Sequence, residues 1–368
     1  MSRQAQRRRE VTPGPRVRTR GASGSSISKV GWLSLLGGCL AVAVFAATDP
    51  LATLKAFSDF PAVDVRRLHA GDILGEPGSL MSLPQGISAQ TCFTVPVTAE
   101  EAARRLQVWD PSAHEALKAL AFHAVNEPCQ AADFQSLNLK SSRRSFLWLL
   151  DKTLATTAGQ SELNLTRDEA RQLADCAKGN PDPQAIGGCW AKLLQERATA
   201  FQRRGFAGVS PYEATGETVS PAAQLRAMLG EQPTVANEFA PLLQQCGVLG
   251  DVGIATLKPL HYWGLYEANH RATFVLGVVY LLPLGDHYQL LDAQYYVSGT
   301  YYTFVTLYEV WPTRVGEKPE ALVWRGDFIA APTLAFTKGF DRLAYGAIMV
   351  QEVKKAIRTF QDDVKVRH

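Results

Sequence analysis

From Gly247 onward the chain alternates β-rich segments with connections too short to hold a helix. β-Branched and aromatic residues fill these segments, and turn residues such as proline and glycine separate them. Strands joined by a few residues pair antiparallel, because parallel neighbours need a crossover of about a dozen residues or more. The predicted strands are 272–282, 288–297, 301–311 and 322–329. This third of the chain is therefore constrained to an antiparallel meander.

A long helix and a helix-rich stretch complete the predicted fold. Residues 341–362 carry an apolar stripe and a charged opposite side, which predicts one closing helix. Upstream, 88–97 is a predicted strand, and the capping boxes that begin at Thr98 and Thr166 each predict a helix start. The predicted fold class is α+β: an antiparallel β meander with a long C-terminal helix, plus a mostly helical region inserted before it.

Composition shifts divide the chain into five predicted segments. They are a basic cytoplasmic leader 1–29, a signal peptide or transmembrane anchor 30–47, a proline-containing linker 48–87, a mostly helical region 88–246, and an antiparallel sheet with its closing helix 247–368.

The first two segments predict export. Arginine-rich sequence followed by an apolar stretch is typical of an export signal or a single membrane anchor. Three fates stay open: cleavage near Ala46, lipidation at Cys39, or retention of 30–47 as a transmembrane helix. In each case we expect the rest of the chain to be exported, and to be membrane-anchored, periplasmic or extracellular. The apolar segment also predicts the membrane as a partner.

The charge balance argues against a nucleic-acid partner. Residues 1–29 hold eight basic residues and one acidic residue, a net charge of +7, whereas the whole chain carries +3. The remaining residues therefore sum to −4. A nucleic-acid-binding domain needs a basic face, so we predict no nucleic-acid partner.

Cysteine positions suggest one disulfide. Cys176 and Cys189 flank a proline-containing break between two predicted helices, so a disulfide between them would join those helices in an oxidising compartment. Cys92, Cys129 and Cys246 also follow the leader, which leaves at least one of five thiols without an intramolecular partner. The alternative is that the cysteines pack as small buried apolar residues.

The order of elements resembles the START-like superfamily, the helix-grip fold of polyketide cyclases, lipid-transfer proteins and pollen allergens. Residues 92–101, Cys-Phe-Thr-Val-Pro-Val-Thr-Ala-Glu-Glu, look like the family's first strand leading into its first helix. Residues 295–302, Tyr-Tyr-Val-Ser-Gly-Thr-Tyr-Tyr, are similar in texture to its later strands. The resemblance covers about 88–110 and about 250–365, and the helical stretch between them departs from the family pattern. It implies a hydrophobic cavity between sheet and closing helix for a lipid-like ligand, with no residue-level site.

No motif identifies a reaction. The sequence lacks a phosphate-binding loop, a dinucleotide-binding glycine pattern, a nucleophile elbow and an H-E-x-x-H zinc motif. Its seven histidines are scattered rather than spaced as metal ligands. We therefore predict no catalytic residue, no metal site and no cofactor.

Polar and aromatic side chains of the meander are the candidates for a ligand site. Successive side chains of a strand point to opposite faces, and aromatic walls with a few polar groups are typical of small-molecule sites. Burial of Asp292 or Glu309 in such a site would raise the carboxyl pKa. The candidate ligand-binding residues are Asp292, Gln294, Tyr296, Tyr302, Tyr308 and Trp324.

These patterns support two principal functions. We expect an exported, non-catalytic envelope protein that binds an apolar or lipid-like ligand. The alternative is a structural protein of the cell envelope whose helical region docks another protein. An enzyme with a dispersed site is a third interpretation, and it would require an acid, a histidine and an arginine to converge in one pocket.

Overall fold

One continuous sheet of eight antiparallel strands runs through the protein. The computed structural model describes residues 49–366 except 158–159, 180–181, 214–215 and 250–256. The strands are β1 Leu74–Pro77, β2 Gly86–Val95, β3 Ala119–Val125, β4 Leu260–Ala268, β5 Arg271–Leu284, β6 His287–Val297, β7 Thr303–Val315 and β8 Lys318–Ala330. Their spatial order is β1-β2-β8-β7-β6-β5-β4-β3, so the first long strand lies beside the last.

Ten α-helices accompany the sheet in the described part of the chain. They are α1 Pro50–Phe57, α2 Val65–His69, α3 Ala99–Gln107, α4 Arg144–Leu154, α5 Arg167–Ala177, α6 Pro183–Arg204, α7 Pro221–Gly230, α8 Pro233–Glu238, α9 Ala240–Gln245 and α10 Phe340–Val366. Helices α3 and α10 cover one face of the sheet, where they share an apolar cluster with β2, β7 and β8. Helices α1 and α4–α9 cover the other face with a larger cluster. We call these the α10 face and the helical-layer face.

Side-chain caps explain where several helices begin. The Thr98 hydroxyl accepts a hydrogen bond from the Glu101 amide at the start of α3. At α5, the Thr166 hydroxyl and the Glu169 carboxylate each accept from the other residue's amide, which completes a capping box. Helix α6 combines an Asp182 cap with proline at its first position, which needs no hydrogen-bond donor there. These local signals are the ones visible in the sequence.

The α+β class, the antiparallel sheet and the long C-terminal helix are confirmed. The four predicted meander strands correspond to β5–β8, which run a few residues longer than expected. Two prolines predicted to end strands lie inside them instead. Pro283 in β5 lies past Val279, the last residue that pairs with β4, and Pro312 in β7 lies past Val310, the last that pairs with β6. Each proline therefore has a side without a neighbouring strand, where its missing N–H costs no ladder bond.

The predicted linker and the predicted helical region differ from the structure. Residues 48–87 contain α1, α2 and β1 rather than an extended linker, because β1 pairs with β2 at the sheet edge. Residues 88–246 include most of β2 and all of β3, and these strands belong to the same sheet as the meander. The described residues from Asp49 onward belong to a single compact unit, so Gly247 does not separate two domains.

The expectation of a transmembrane helix, and of a membrane partner bound through it, requires correction. In the described part of the chain, no helix combines the length and the apolar character needed to cross a bilayer. The predicted leader 1–29 and apolar segment 30–47, including Cys39 and Ala46, lie outside the described residues.

A disulfide joins Cys176 in α5 to Cys189 in α6, with 6.1 Å between their Cα atoms. The two cysteines lie 13 positions apart, so the bond closes a short loop between neighbouring helices. Cys92, Cys129 and Cys246 are free thiols. Burial raises the pKa values of the Cys92 and Cys246 thiols above the ordinary range, which makes both unreactive at neutral pH.

Removing this disulfide should destabilise the helical layer. We expect the Cys176→Ser/Cys189→Ser double variant to lose roughly 3 kcal/mol of unfolding free energy, the entropy that closing a loop of this size removes from the unfolded chain. Denaturant titration of both proteins, with and without reductant, measures the loss. A reductant effect of equal size on the double variant would contradict this origin.

Candidate functional site

Two separate apolar clusters occupy the α10 face of the sheet. One lies under α3 and α10 and includes Phe93, Val310 and Val323. The other lies on β4–β6 and consists of Tyr262, Val275, Val279 and Val297, with Phe122, Tyr266 and Tyr301 packed against it. The two clusters are not continuous, and polar side chains occupy the sheet next to them.

A row of polar residues crosses the sheet between the clusters. Asp292 on β6 pairs with Thr306 on β7, which pairs with Asp327 on β8. The Thr306 hydroxyl donates to Asp327 Oδ1 at 2.8 Å. Arg325 binds the same carboxylate with two bonds, Nε to Oδ2 at 2.7 Å and Nη2 to Oδ1 at 2.8 Å. Asp327 is thus compensated by Arg325, and Asp292 is left without a cation of its own.

Asp292 is half-buried and makes one hydrogen bond in the described structure, from the Tyr262 hydroxyl to Oδ1 at 2.8 Å. Burial raises its pKa to about 6, since burial disfavours the charged form. The Tyr262 hydrogen bond and the positive charge of Arg325 lower this pKa, whereas the negative charge of Asp327 raises it. Asp292 therefore titrates near neutral pH and keeps Oδ2 free.

Four tyrosines surround this carboxylate. Burial raises the pKa of each phenol above its ordinary value, and the negative charge of Asp292 raises each pKa further. The four are Tyr262, Tyr266, Tyr301 and Tyr308. All four therefore stay protonated at neutral pH and remain hydrogen-bond donors.

Several polar groups of the cluster lack partners. The Tyr301 hydroxyl donates to Gln294 Oε1 at 2.5 Å, but the Gln294 amide nitrogen donates to nothing in the described residues. The same holds for the hydroxyls of Tyr266 and Tyr308. Gln294 and Tyr308 are each only 8% exposed. None of these three atoms is among the fully buried polar atoms without a partner in the described residues, so each reaches solvent and is available to a ligand or to water.

A row of apolar residues borders the polar row. Ile87 on β2 pairs with Ile329 on β8, and Ile329 pairs with Phe304 on β7. Phe304 in turn pairs with Gln294 on β6. All three apolar residues are half-buried. Helix α10 packs against β1 and β2, so it does not close over the whole row. We call the area formed by the four tyrosines, Asp292, Gln294, Ile87, Phe304 and Ile329 the tyrosine recess.

Glycine 277 shapes this recess. It lies on β5 opposite Tyr262, and a Cβ atom there would collide with the Tyr262 ring and hydroxyl. The missing side chain lets the ring lie across the strand and reach Asp292 on the far side. Phe122 stacks beside Tyr262 with ring centroids 4.7 Å apart, which holds the ring in that position.

Three of the six predicted ligand residues meet in the recess: Asp292, Gln294 and Tyr308. Tyr296 lies on the helical-layer face because a β-bulge between Leu276 and Gly277 reverses the alternation of β6. The Arg197 guanidinium lies 4.1 Å from its ring centroid, in the helical layer.

Trp324 and Tyr302 also belong to the helical-layer core rather than to the recess. Trp324 alternates with Arg325 along β8, so it points to the opposite face, where its Nε1 donates to Gln90 Oε1 at 3.2 Å. Tyr302 precedes β7, so strand alternation does not apply to it.

The sequence prediction missed Tyr262, Tyr266 and Tyr301. The first two lie on β4, which was not predicted as a strand. In the run Tyr262-Trp263-Gly264-Leu265-Tyr266, the two tyrosines are four residues apart and each is two residues from the glycine. Even spacings of this kind place side chains on one face of a strand. That pattern was the available signal.

Glu309, the other predicted carboxyl, lies on the helical-layer face and is fully buried. Burial raises its pKa well above the ordinary value. The hydrogen bond from Gln289 Nε2, 2.8 Å long, lowers the pKa, and the negative charge of Glu238 raises it.

Within the described residues, no three histidine, cysteine or acidic side chains converge to hold a metal ion.

Comparison with known proteins assigns no family, because neither a protein-family model nor a curated protein sequence matches the chain.

Titration of Asp292 should make stability depend on pH. Its native pKa of about 6 exceeds the ordinary 3.8, so the native state binds more protons between these values and stability falls as pH rises. We expect Asp292→Asn to gain on the order of 2–3 kcal/mol relative to the wild type across that window. Denaturant titrations at several pH values measure the difference. Asp362→Asn, at an exposed position, serves as control. A stability difference between Asp292→Asn and the wild type that does not change with pH would refute the raised pKa of Asp292.

A side chain at position 277 should displace Tyr262. We expect Gly277→Ala to cost about 1–3 kcal/mol, typical of overpacking. Adding Tyr262→Ala should relieve the clash, so the double variant should be more stable than the sum of the two single effects. Gly188→Ala is the matched control, because a Cβ there meets no atom within 4 Å. Additive effects would show that the ring does not lie against Gly277.

Proposed function

We propose that this protein is a non-catalytic binder of an apolar or lipid-like ligand, which occupies the tyrosine recess. The observation that carries the proposal is the break between the two apolar clusters on the α10 face. Half-buried isoleucine and phenylalanine side chains line this break together with unpartnered polar groups. An apolar surface with a few orienting polar groups is the usual composition of a ligand site.

The order of elements supports a START-like, helix-grip assignment. Strand β2 leads into α3, the meander β4–β8 follows after a long interval, and α10 closes the chain. Helix α10 lies along β2, with Arg342 Nη2 donating to the Leu83 carbonyl at 2.7 Å near one end and Gln361 Nε2 donating to the Thr94 carbonyl at 2.9 Å near the other. On this proposal, α4–α9 are an insertion between β3 and β4 that covers the helical-layer face.

The disulfide supports a location outside the cytoplasm. Disulfides persist in oxidising compartments and are rare among cytosolic proteins, and Cys176–Cys189 is such a bond. Together with the basic leader followed by an apolar stretch, this favours an exported protein.

A neutral hydrophobic dye tests the proposed site. We expect Nile red to bind the wild type saturably with one site per chain, and 1-dodecanol to displace it. Ile329→Trp, which adds volume to the recess, should weaken dye binding by about tenfold, the effect of roughly 1.4 kcal/mol. Fluorescence titration measures both effects.

The control is Leu147→Trp, which adds the same ring at a 52% exposed position of α4. It should leave dye affinity unchanged. Absence of saturable binding to the wild type, or equal weakening by both variants, would exclude the recess as the site. Native mass spectrometry of the purified protein gives an independent test through any copurified ligand.

A further inference from the structure

The charges around Asp292 leave one negative charge uncompensated. On β8, Arg325 is held by Asp327, with both of its hydrogen bonds on that carboxylate. From the helix above, α3 contributes the small apolar residues Ala102 and Ala103 to the same face. The turn that follows α3 adds a further acid, Asp110, whose negative charge reaches Tyr266.

The groups around this charge suit a cation. Aromatic rings attract cations placed over their faces, and the attraction grows when water is excluded. Arg325 already lies 5.4 Å from the Tyr308 ring centroid, and Phe122 packs against the Tyr262 ring. Tyr266 and Tyr301 are therefore the rings near Asp292 that have no such neighbour in the described residues. Asp292 Oδ2 accepts no hydrogen bond within the described residues, so it is free to accept one from a ligand.

We propose that the ligand of the tyrosine recess is an amphiphile with a protonated amine, which donates a hydrogen bond to Asp292 while its hydrocarbon part lies on Ile87, Phe304 and Ile329. This inference rests on the proposed function and specifies the chemical class of the ligand. The Gln294 amide and the Tyr308 hydroxyl, both largely buried and unpartnered, donate to any hydroxyl or carbonyl oxygen next to the amine.

Alternative head groups fit less well. A carboxylate or phosphate would face Asp292 and Asp327 with only Arg325 to offset them, and that guanidinium is already engaged. An alcohol can donate to the Asp292 carboxylate, but it brings no positive charge to offset that carboxylate, so it lacks the ion-pair attraction that an amine provides. The expected order of affinity is therefore amine, alcohol, carboxylate.

Three probes with the same twelve-carbon chain separate the head group from the apolar site. Isothermal titration calorimetry of dodecylamine, 1-dodecanol and dodecanoate, each below its aggregation concentration, measures the three dissociation constants. We expect the amine to bind at least about tenfold tighter than the alcohol, because only the amine pairs a positive charge with the Asp292 carboxylate. Dodecanoate should bind more weakly than the alcohol.

Substitution of the carboxylate tests its role directly. Asp292→Asn keeps the shape and removes the charge, so it should lower amine affinity much more than alcohol affinity and thereby abolish the preference for the amine. Asp362→Asn removes an exposed charge on α10 and should change neither constant. If Asp292→Asn loses binding of all three probes, the recess itself is damaged. Thermal denaturation and alcohol binding of the variant identify that case. Such a result would count against a specific contact between the amine and Asp292.

The pH dependence provides a second readout. Amine affinity should rise as pH increases through about 6, where Asp292 becomes charged, whereas alcohol affinity should change much less. The other titratable groups around Asp292 are the four tyrosines, the Arg325–Asp327 pair and, next to Tyr266, Asp110. The tyrosines stay neutral across this range.

The outcomes distinguish the two proposals. If none of the three probes binds, the proposed function fails. If all three bind with equal affinity, or dodecanoate binds best, the apolar site stands and the amine assignment is overturned.

Discussion

The pairing of β2 with β8 is the contact on which the rest of the structure depends. It brings Gly86 beside Ala330 and Val95 beside Ala321, although these residues are far apart in the chain. Joining such distant segments costs loop-closure entropy, which the ten paired positions and the shared apolar cluster beneath α10 offset. Helix α10 lies along β2, and half of the polar row lies on β8, so both the closing helix and the recess need this pairing.

Two backbone irregularities then decide where the recess forms. The β-bulge between Leu276 and Gly277 turns Tyr296 into the helical layer and leaves Gln294 as the last polar side chain of β6 on the α10 face. Tyr295 also enters the helical layer, where its ring stacks on Phe201 with 3.9 Å between centroids. Strand alternation without the bulge would place Tyr296 on the α10 face, so the bulge removes one large side chain from that face. Gly277 removes one more, and Tyr262 uses that space to reach Asp292.

Local sequence signals predicted most of the helices and strands, whereas the pairing of distant segments could not be predicted from them. Caps at Thr98 and Thr166 and the short turns of the meander act within a few residues, so a sequence reveals them. Strand β4 escaped prediction because Gly264 interrupts its aromatic run, and its partner β3 precedes the entire helical layer. Strand alternation correctly placed Trp324 and Arg325 on opposite faces of the sheet, but it does not indicate which face carries a binding site. The face depends on which helices cover it, a tertiary property.

Two carboxyl groups of the sheet show why a raised pKa alone does not identify a site. Burial raises the pKa of both Glu309 and Asp292. Glu309 is sealed in the helical layer with Gln289, so no ligand reaches it. Asp292 keeps a free oxygen and has tyrosine hydroxyls around it. A carboxyl group whose pKa is raised in the folded state lowers the stability of the protein once it ionises. A carboxylate that costs stability and remains accessible is better explained by what it binds than by what it holds together.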